Sequence, residues 1–373
     1  MLSLYVHIPF CRKRCSYCDF YLVANSARME DFFVALRRET AARASLLKGR
    51  TIGAIHFGGG TPSMAPPALL SDWLEQVASL TSFAPDIEIA LEANPEDLQG
   101  NAAGELHGVG INRLSLGVQS FNRAKLASLG RVHSPENAMT ATHKALGLFD
   151  SVSLDLICGV PSEDREAWQG DLDKAIALEV QHVSVYMLSL EPRTLLSRDV
   201  AAGRVRVPDE GAQADFYMQA LKELKASGYA HYEVSNFAMP GHHSRYNLAS
   251  WKREPYIGYG PSAHSFIQTE EGELRTANEA SLSRWLSAPQ SAEGFREILG
   301  ERERFEEEVF LSLRINSGLS IEFLRKGNTL PIEMMNALGK MEAQGWIRHE
   351  NGALYLTDEG FLFADHIAAE LIP

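Results

Sequence analysis

An α/β fold built on a parallel sheet, followed by a smaller helical unit, is predicted by two features of the first 228 residues. Short β-branched runs recur at 3–9, 52–58, 86–92, 112–118, 151–158 and 182–189, with a further run near 230–235. Amphipathic stretches fill the intervals at 30–48, 66–79, 102–108, 122–149, 163–179 and 209–227. Strand and helix alternating at this spacing form right-handed βαβ units, whose strands lie parallel in one sheet. Six units are too few for a closed eight-unit barrel. An open or partial barrel, or a doubly wound sheet, is expected.

Each strand is followed by residues that a scaffold alone does not need. Cys11, Cys15 and Cys18 follow the first run, Gly58-Gly59-Gly60-Thr61-Pro62 the second, Glu92 ends the third and Gln119 follows the fourth. Asp155 lies within the fifth run and Ser189 ends the sixth. In parallel α/β folds the loops at the carboxyl edge converge on one ligand-binding mouth. Alternation puts Asp155 on the strand face opposite Val152, Leu154 and Leu156, toward the interior, where a carboxylate needs a partner. The helical stretch at 122–149 breaks at Ser134-Pro135, because proline has no amide N–H to continue a helix.

From Tyr229 the pattern becomes irregular and rich in Gly, Pro, His and aromatics, which suggests a long connection or lid over 229–299 that extends the barrel and covers its mouth. Residues 300–373 form a separate unit. Two helical stretches, a turn at Glu350-Asn351-Gly352 and the strand-like Ala353-Leu354-Tyr355-Leu356-Thr357 describe a mostly helical, winged-helix-like module. Its 13 acidic and 7 basic side chains argue for a packing or lid role rather than nucleic-acid binding.

Composition sets outer limits. A chain of 373 residues, 45% hydrophobic, can bury a large core. A formal charge of −13 opposes bulk attachment to nucleic acid or anionic membranes, leaving at most transient membrane association. The start, Met1 to Phe10, lacks the pattern of a secretory signal, and no apolar run of about 18 residues occurs. A cytoplasmic protein is expected. Four cysteines make no disulfide framework, and Cys158, inside an apolar strand, is expected to be a buried small hydrophobe.

The other three cysteines lie within eight residues at C-x3-C-x2-C spacing. Soft thiolates so placed suit an iron-sulfur cluster or zinc. A closed structural site wants four protein ligands, so three leave one position for a substrate or cofactor. A structural zinc with His7 as fourth ligand and a lone disulfide are the plainer alternatives.

Taken with Tyr5-Val6-His7-Ile8-Pro9-Phe10-Cys11, His56-Phe57-Gly58-Gly59-Gly60-Thr61-Pro62, Leu91-Glu92-Ala93-Asn94, Gly117-Val118-Gln119-Ser120-Phe121 and Leu154-Asp155-Leu156-Ile157-Cys158, the triplet resembles the radical S-adenosylmethionine (SAM) superfamily along essentially the whole chain. The nearest likeness is to the branch holding oxygen-independent coproporphyrinogen III oxidase and the HemW family of heme chaperones. This resemblance implies a partial (βα)6 barrel and a [4Fe-4S] cluster on Cys11, Cys15 and Cys18, its unique iron chelated by SAM. Reduction of the cluster by a low-potential electron donor would then cleave SAM to a 5′-deoxyadenosyl radical. The resemblance places Tyr5 and Tyr17 near cluster and adenine, and Gly59, Gly60 and Thr61 at the SAM amino group. It makes Glu92, Gln119, Arg131 and Asp155 further SAM contacts, with Ser189 and His264 as more variable ones.

The branches divide on two features. The oxidase has a cysteine two residues after the third cluster cysteine and a long N-terminal extension; this chain has Phe20 there and ten residues before Cys11. Both match the heme chaperones, implying heme as cargo and heme-requiring client proteins as partners. A homodimer is a further expectation. Coproporphyrinogen III decarboxylation and radical SAM methyl transfer are the enzymatic alternatives. The chaperones' H-N-x-x-Y-W motif is altered here to Tyr246-Asn247-Leu248-Ala249-Ser250-Trp251. Tyrosinate can ligate ferric heme, which leaves Tyr246, Asn247 and Trp251 as candidate heme contacts, with His242, His243 and His264 near in sequence.

Overall fold

The computed structural model describes residues 1–325 and 329–372. Six parallel strands, β1 (Leu2–Ile8), β2 (Thr51–Gly59), β3 (Ser82–Ala93), β4 (Arg113–Gln119), β5 (Ser151–Cys158) and β6 (His182–Met187), pair in sequence order, as expected for successive βαβ units. Their apolar faces meet helices at Met29–Ala42, Pro67–Leu80, Pro135–Leu146, Arg165–Ala177 and Glu210–Ala226. Trp73, Trp168 and Trp285 are completely buried, and each indole N–H finds an acceptor, on Thr40, the Phe216 carbonyl and Glu39 respectively. The break after Ser128 has a local cause: Ser134 caps the next helix, exchanging hydrogen bonds with Asn137, and Pro135 occupies its first turn.

The region 229–299 extends the barrel, with a strand at the run near 230–235, but it is more regular than expected. It supplies six more strands to the same sheet: β7 (Ala230–Glu233) and β8 (Asn236–Ala238) beyond β6, and β9 (Tyr256–Tyr259), β10 (His264–Thr269), β11 (Gly272–Asn278) and β12 (Glu293–Ile298) beyond β1. An unclosed barrel exposes two rows of unpaired backbone groups, and these additions pair both. Short strands separated by Gly and Pro gave too little periodicity to read.

Nor does this region cover the mouth. Its short helix, Arg245–Trp251, closes the opposite end, where the strands begin. Arg113, at the start of β4, donates to the His242 carbonyl (3.0 Å), Ser151 (3.1 Å) and Glu88 (3.4 Å). Glu88 in turn accepts from the Arg245 amide at 2.9 Å. Ser153, His182 and Tyr232 form a second chain (2.7 and 2.8 Å), and His243 stacks on Tyr232 at 4.4 Å. Buried strand ends carry polar groups that must be satisfied, and this segment supplies the partners.

The C-terminal unit has helices Glu301–Ser312, Ile321–Leu324, Ile332–Ala343 and Ala364–Leu371 around a small sheet of β13 (Leu319–Ser320), β14 (Ile347–Glu350) and β15 (Ala353–Leu356). Asn351 and Gly352, with φ of 50° and 77°, form the two-residue turn between β14 and β15. The expected winged-helix-like arrangement is therefore present. It docks on the β7 edge: Arg314 O accepts from Val234 N (2.9 Å), Asn316 N donates to Tyr232 O (3.1 Å), and Phe361 packs edge-on against His231.

One buried ion cluster ties the loops after β4 and β5 together. Lys125 pairs with Glu163 and, at 2.6 Å, with Asp171, and all three side chains are at most 3% exposed. Asp171 also accepts from Ser120 and the Phe121 amide, while Glu163 accepts from the Gly159 and Val160 amides. Asp171→Ala should leave Lys125 half compensated in a dry site and destabilise the fold by about 3 kcal/mol. A urea midpoint equal to the parent's would show that the cluster does not carry that load.

Candidate functional site

At the carboxyl edge of β1, residues 11–22 form a loop whose ends are pinned by Cys11 N donating to Val23 O (3.1 Å) and Val23 N to Pro9 O (2.7 Å). Its middle rests on two neighbours. Ser16 donates through its amide to Leu129 O (3.1 Å) and through its hydroxyl to Ser128 O (3.0 Å), and Ser16 O accepts from Leu196 N (2.8 Å). Beneath it lies a small separate core of Leu129, Ile157, Val160, Leu188 and Leu196, against which Tyr17 packs. The three cysteines are free thiols and line a cavity of about 680 Å³. Burial pushes the Cys11 thiol up to about 11 and raises that of Cys18.

The glycine loop after β2 packs directly on this loop. Gly60 N donates to Ile8 O (2.8 Å) and Thr61 N to Phe10 O (2.7 Å), and the Thr61 hydroxyl lies 3.1 Å from Cys11 Sγ. A Cβ on Gly60 would stand 2.6 Å from the Phe10 carbonyl, and one on Gly59, at φ 109°, 2.7 Å from the His7 ring. Only glycine permits that approach.

The far wall is polar. Glu92 is held by His56 (3.0 Å) and by the Gly59 amide (3.2 Å). Asp155 accepts from Ser115 at 3.0 and 3.1 Å; burial lifts its carboxyl to about 6, against the Ser184 bond that favours the charged form. Arg131 spans the site, reaching Cys15 Sγ (3.6 Å), Asn94 Oδ1 (2.6 Å) and Gly117 O (2.6 Å). Its Nε is buried without a partner. Gln119 takes a left-handed backbone (φ 65°), which fits a residue held by its surroundings at a site.

Of the residues expected from the sequence, Cys11, Cys15, Cys18, Gly59, Gly60, Thr61, Glu92, Gln119, Arg131, Asp155 and Ser189 all line this one cavity, as does Tyr17. Tyr5 and His264 do not. Tyr5 lies below, its ring stacked on His56 (6.0 Å) and its hydroxyl 3.1 Å from His7 Nδ1. His264 is exposed on β10. Both ring nitrogens of His7 are engaged, the second by the Tyr21 carbonyl at 2.9 Å, so His7 is not placed as a fourth metal ligand. Cys158 is fully buried, as expected of a small hydrophobe. Tyr246 packs beside both Tyr5 (5.8 Å) and His56 (5.0 Å), and neither it, Asn247 nor Trp251 lines the cavity.

Sequence reasoning missed Asn94, Ser115 and His56. Asn94 stands two residues beyond Glu92, and Ser115 and His56 alternate onto the interior faces of β4 and β2, so strand alternation was the available signal. It could not show which interior residues bond to Asp155 and Glu92.

The donor set fits the cofactors that the resemblance implies. Three soft thiols stand on one wall, and among the described residues no group of three such ligating side chains closes around a single ion. A multi-iron cluster holds its thiolates farther apart than one ion does. Across the cavity Glu92 and Asp155 are acceptors for ammonium and ribose hydroxyls, and the unpartnered Arg131 Nε is a donor for a carboxylate. When bound, a [4Fe-4S] cluster with SAM supplies one-electron chemistry; this chain's residues bind and orient it.

Two outcomes are expected. Cys15→Ala should abolish cluster assembly on anaerobic reconstitution, and iron with visible absorption at parent levels would reject the assignment. SAM affinity should weaken as pH falls through about 6, because protonation of Asp155 removes an acceptor, and Asp155→Asn should flatten that dependence. Anaerobic calorimetric titration between pH 5 and 8 checks it; identical slopes for the two proteins would exclude Asp155 as the titrating group.

Comparison with known proteins places the chain in a family. The sequence model described as the Radical SAM superfamily matches residues 5–175, and that of the HemN C-terminal domain matches residues 299–363. The chain is 33% identical to the heme chaperone HemW of Bacillus subtilis, covering 98% of both chains. It is 31% identical to HemW of Escherichia coli, covering 98% of this chain and 97% of that one. It is also 35% identical to the mitochondrial radical S-adenosyl methionine domain-containing protein 1 of Danio rerio, over 85% and 74% of the two chains. Among solved structures, E. coli coproporphyrinogen III oxidase (HemN) superposes with a TM-score of 0.84 at 24% identity, covering 100% of this chain and 90% of that one, which shows the shared fold. The chain belongs to the radical SAM superfamily and, within it, to the family of the heme chaperone HemW.

Proposed function

We propose that this protein is a heme chaperone: it binds heme and passes it to heme-requiring proteins, respiratory and membrane proteins among them. The carrying observation is full-length similarity to HemW relatives, at 31–35% identity over nearly whole chains, combined with Phe20 where the oxidase carries a cysteine. Its cofactors are a [4Fe-4S] cluster, held by Cys11, Cys15 and Cys18, and SAM. Gly59, Gly60, Thr61, Glu92, Gln119, Arg131, Asp155 and Ser189 take the SAM side of the cavity. A low-potential electron donor belongs to the same scheme.

Among the described residues no helix is long and apolar enough to cross a membrane. We place the protein in the cytoplasm as a homodimer, touching membranes at most transiently while handing over cargo. Oxidase activity is the second reading, supported by the shared HemN fold.

Anaerobic reconstitution separates the two. The chaperone reading expects uptake of one heme per chain with coproporphyrinogen III left unchanged. Decarboxylation of coproporphyrinogen III would instead favour the oxidase, and absence of heme uptake would sink the chaperone reading.

A further inference from the structure

The polar wall of the cavity accounts for SAM, but its outer lip does not. Phe20 is 69% exposed and Met187 41%, and both line the mouth. Leu190, at 37%, and Leu195, at 59%, continue the exposure along the segment that follows β6. That segment is fixed to the cysteine loop by the Leu196–Ser16 hydrogen bond, and Phe20 and Met187, which both line the cavity, form its apolar lip. Scattered exposed hydrophobes need no explanation, but several at the edge of a cavity mark a ligand surface. The one flat apolar part of SAM, its adenine, has Tyr17 and Ile157 available within the cavity, so the outer lip is left over.

We propose that heme seats on this lip, with a face against Phe20, its iron taken by the Met187 thioether and its propionates toward Lys13. The assignment rests on the chaperone reading above. Methionine sulfur is a soft, adaptable heme ligand. The neighbouring oxygen donor, Tyr186, is a hard phenol beside the Asp155 carboxylate and a poorer match than a thioether to reduced iron. The charges set an orientation. Of the two cations lining the cavity among the described residues, Arg131 bonds Asn94 and Gly117 and keeps its Nε for the SAM carboxylate, which leaves Lys13. Asp19 and Glu191, also at the mouth, repel propionates from the other directions. Tyr246 is not the ligand: it is enclosed by Tyr5, His56 and Tyr256 and does not line the cavity.

The test is an anaerobic titration of the full-length, cluster-reconstituted chain with reduced heme, followed by absorption spectroscopy. Wild type should bind with the spectrum of a thioether-ligated iron. Met187→Leu, which preserves apolar volume, should lose that signature and weaken binding about tenfold. Phe20→Asp should weaken it at least tenfold and the exposed Lys13→Glu several-fold, while Tyr246→Phe changes neither spectrum nor affinity. Cluster absorption in each variant reports folding, and the two exposed-site variants decide the matter if Met187→Leu fails to assemble. Variants that titrate like wild type, or loss of heme in Tyr246→Phe alone, overturn the lip assignment and leave the chaperone reading standing. No uptake by wild type overturns both.

Discussion

A six-stranded parallel barrel cannot close, and the rest of this structure answers that constraint. Eight strands bring the first and last into register around a filled interior; six leave a gap, two bare edges and polar strand ends without partners. The edges are paired by β8 and β7 on one side and by β9 to β12 on the other. The strand starts are satisfied by residues 242–251, through Arg113, Glu88, His182 and Tyr232. What remains open is the carboxyl end, where the cysteine loop and the polar wall face each other across one cavity.

The cysteine loop has no regular structure of its own, so its geometry is borrowed. Ser16 bonds to the segments at 128–129 and 196, and the small core under Tyr17 gives the loop an apolar floor separate from the main core. The glycines after β2 press against it from the other side. These contacts position the thiols relative to Arg131 and Thr61, and the Lys125–Glu163–Asp171 cluster holds the loops after β4 and β5 beside them. Burial raises the carboxyl of Asp155 and the thiols of Cys11 and Cys18 in turn, the signature of a site that trades solvation for fixed partners.

Heme cargo makes a different demand from SAM. A cofactor retained for chemistry benefits from an enclosed polar seat, whereas a cargo must be released and is better held at a lip. Polar residues deep in the cavity and apolar ones at its mouth divide the two demands spatially. The helix carrying Tyr246 and Trp251 is drawn into the closure of the barrel instead, where Tyr246 stacks on Tyr5 and His56.

The sequence by itself determined the six parallel strands, the cysteine triplet and the edge on which the polar residues gather, because strand alternation and loop position are local consequences of residue order. It also determined the C-terminal module, whose Asn351-Gly352 turn fixes a hairpin regardless of context. Beyond the run near 230–235, only the tertiary structure decided what residues 236–299 become. Their strands are short and edge-bound, so their conformation depends on β1 and β6 being there to pair with, and no periodicity in the segment records that. The same holds for Tyr5, His7 and His264. Each lies near the cluster motif or the ligand residues in sequence, yet which end of the barrel a side chain serves depends on the turn of the sheet and on the neighbours that claim its polar atoms.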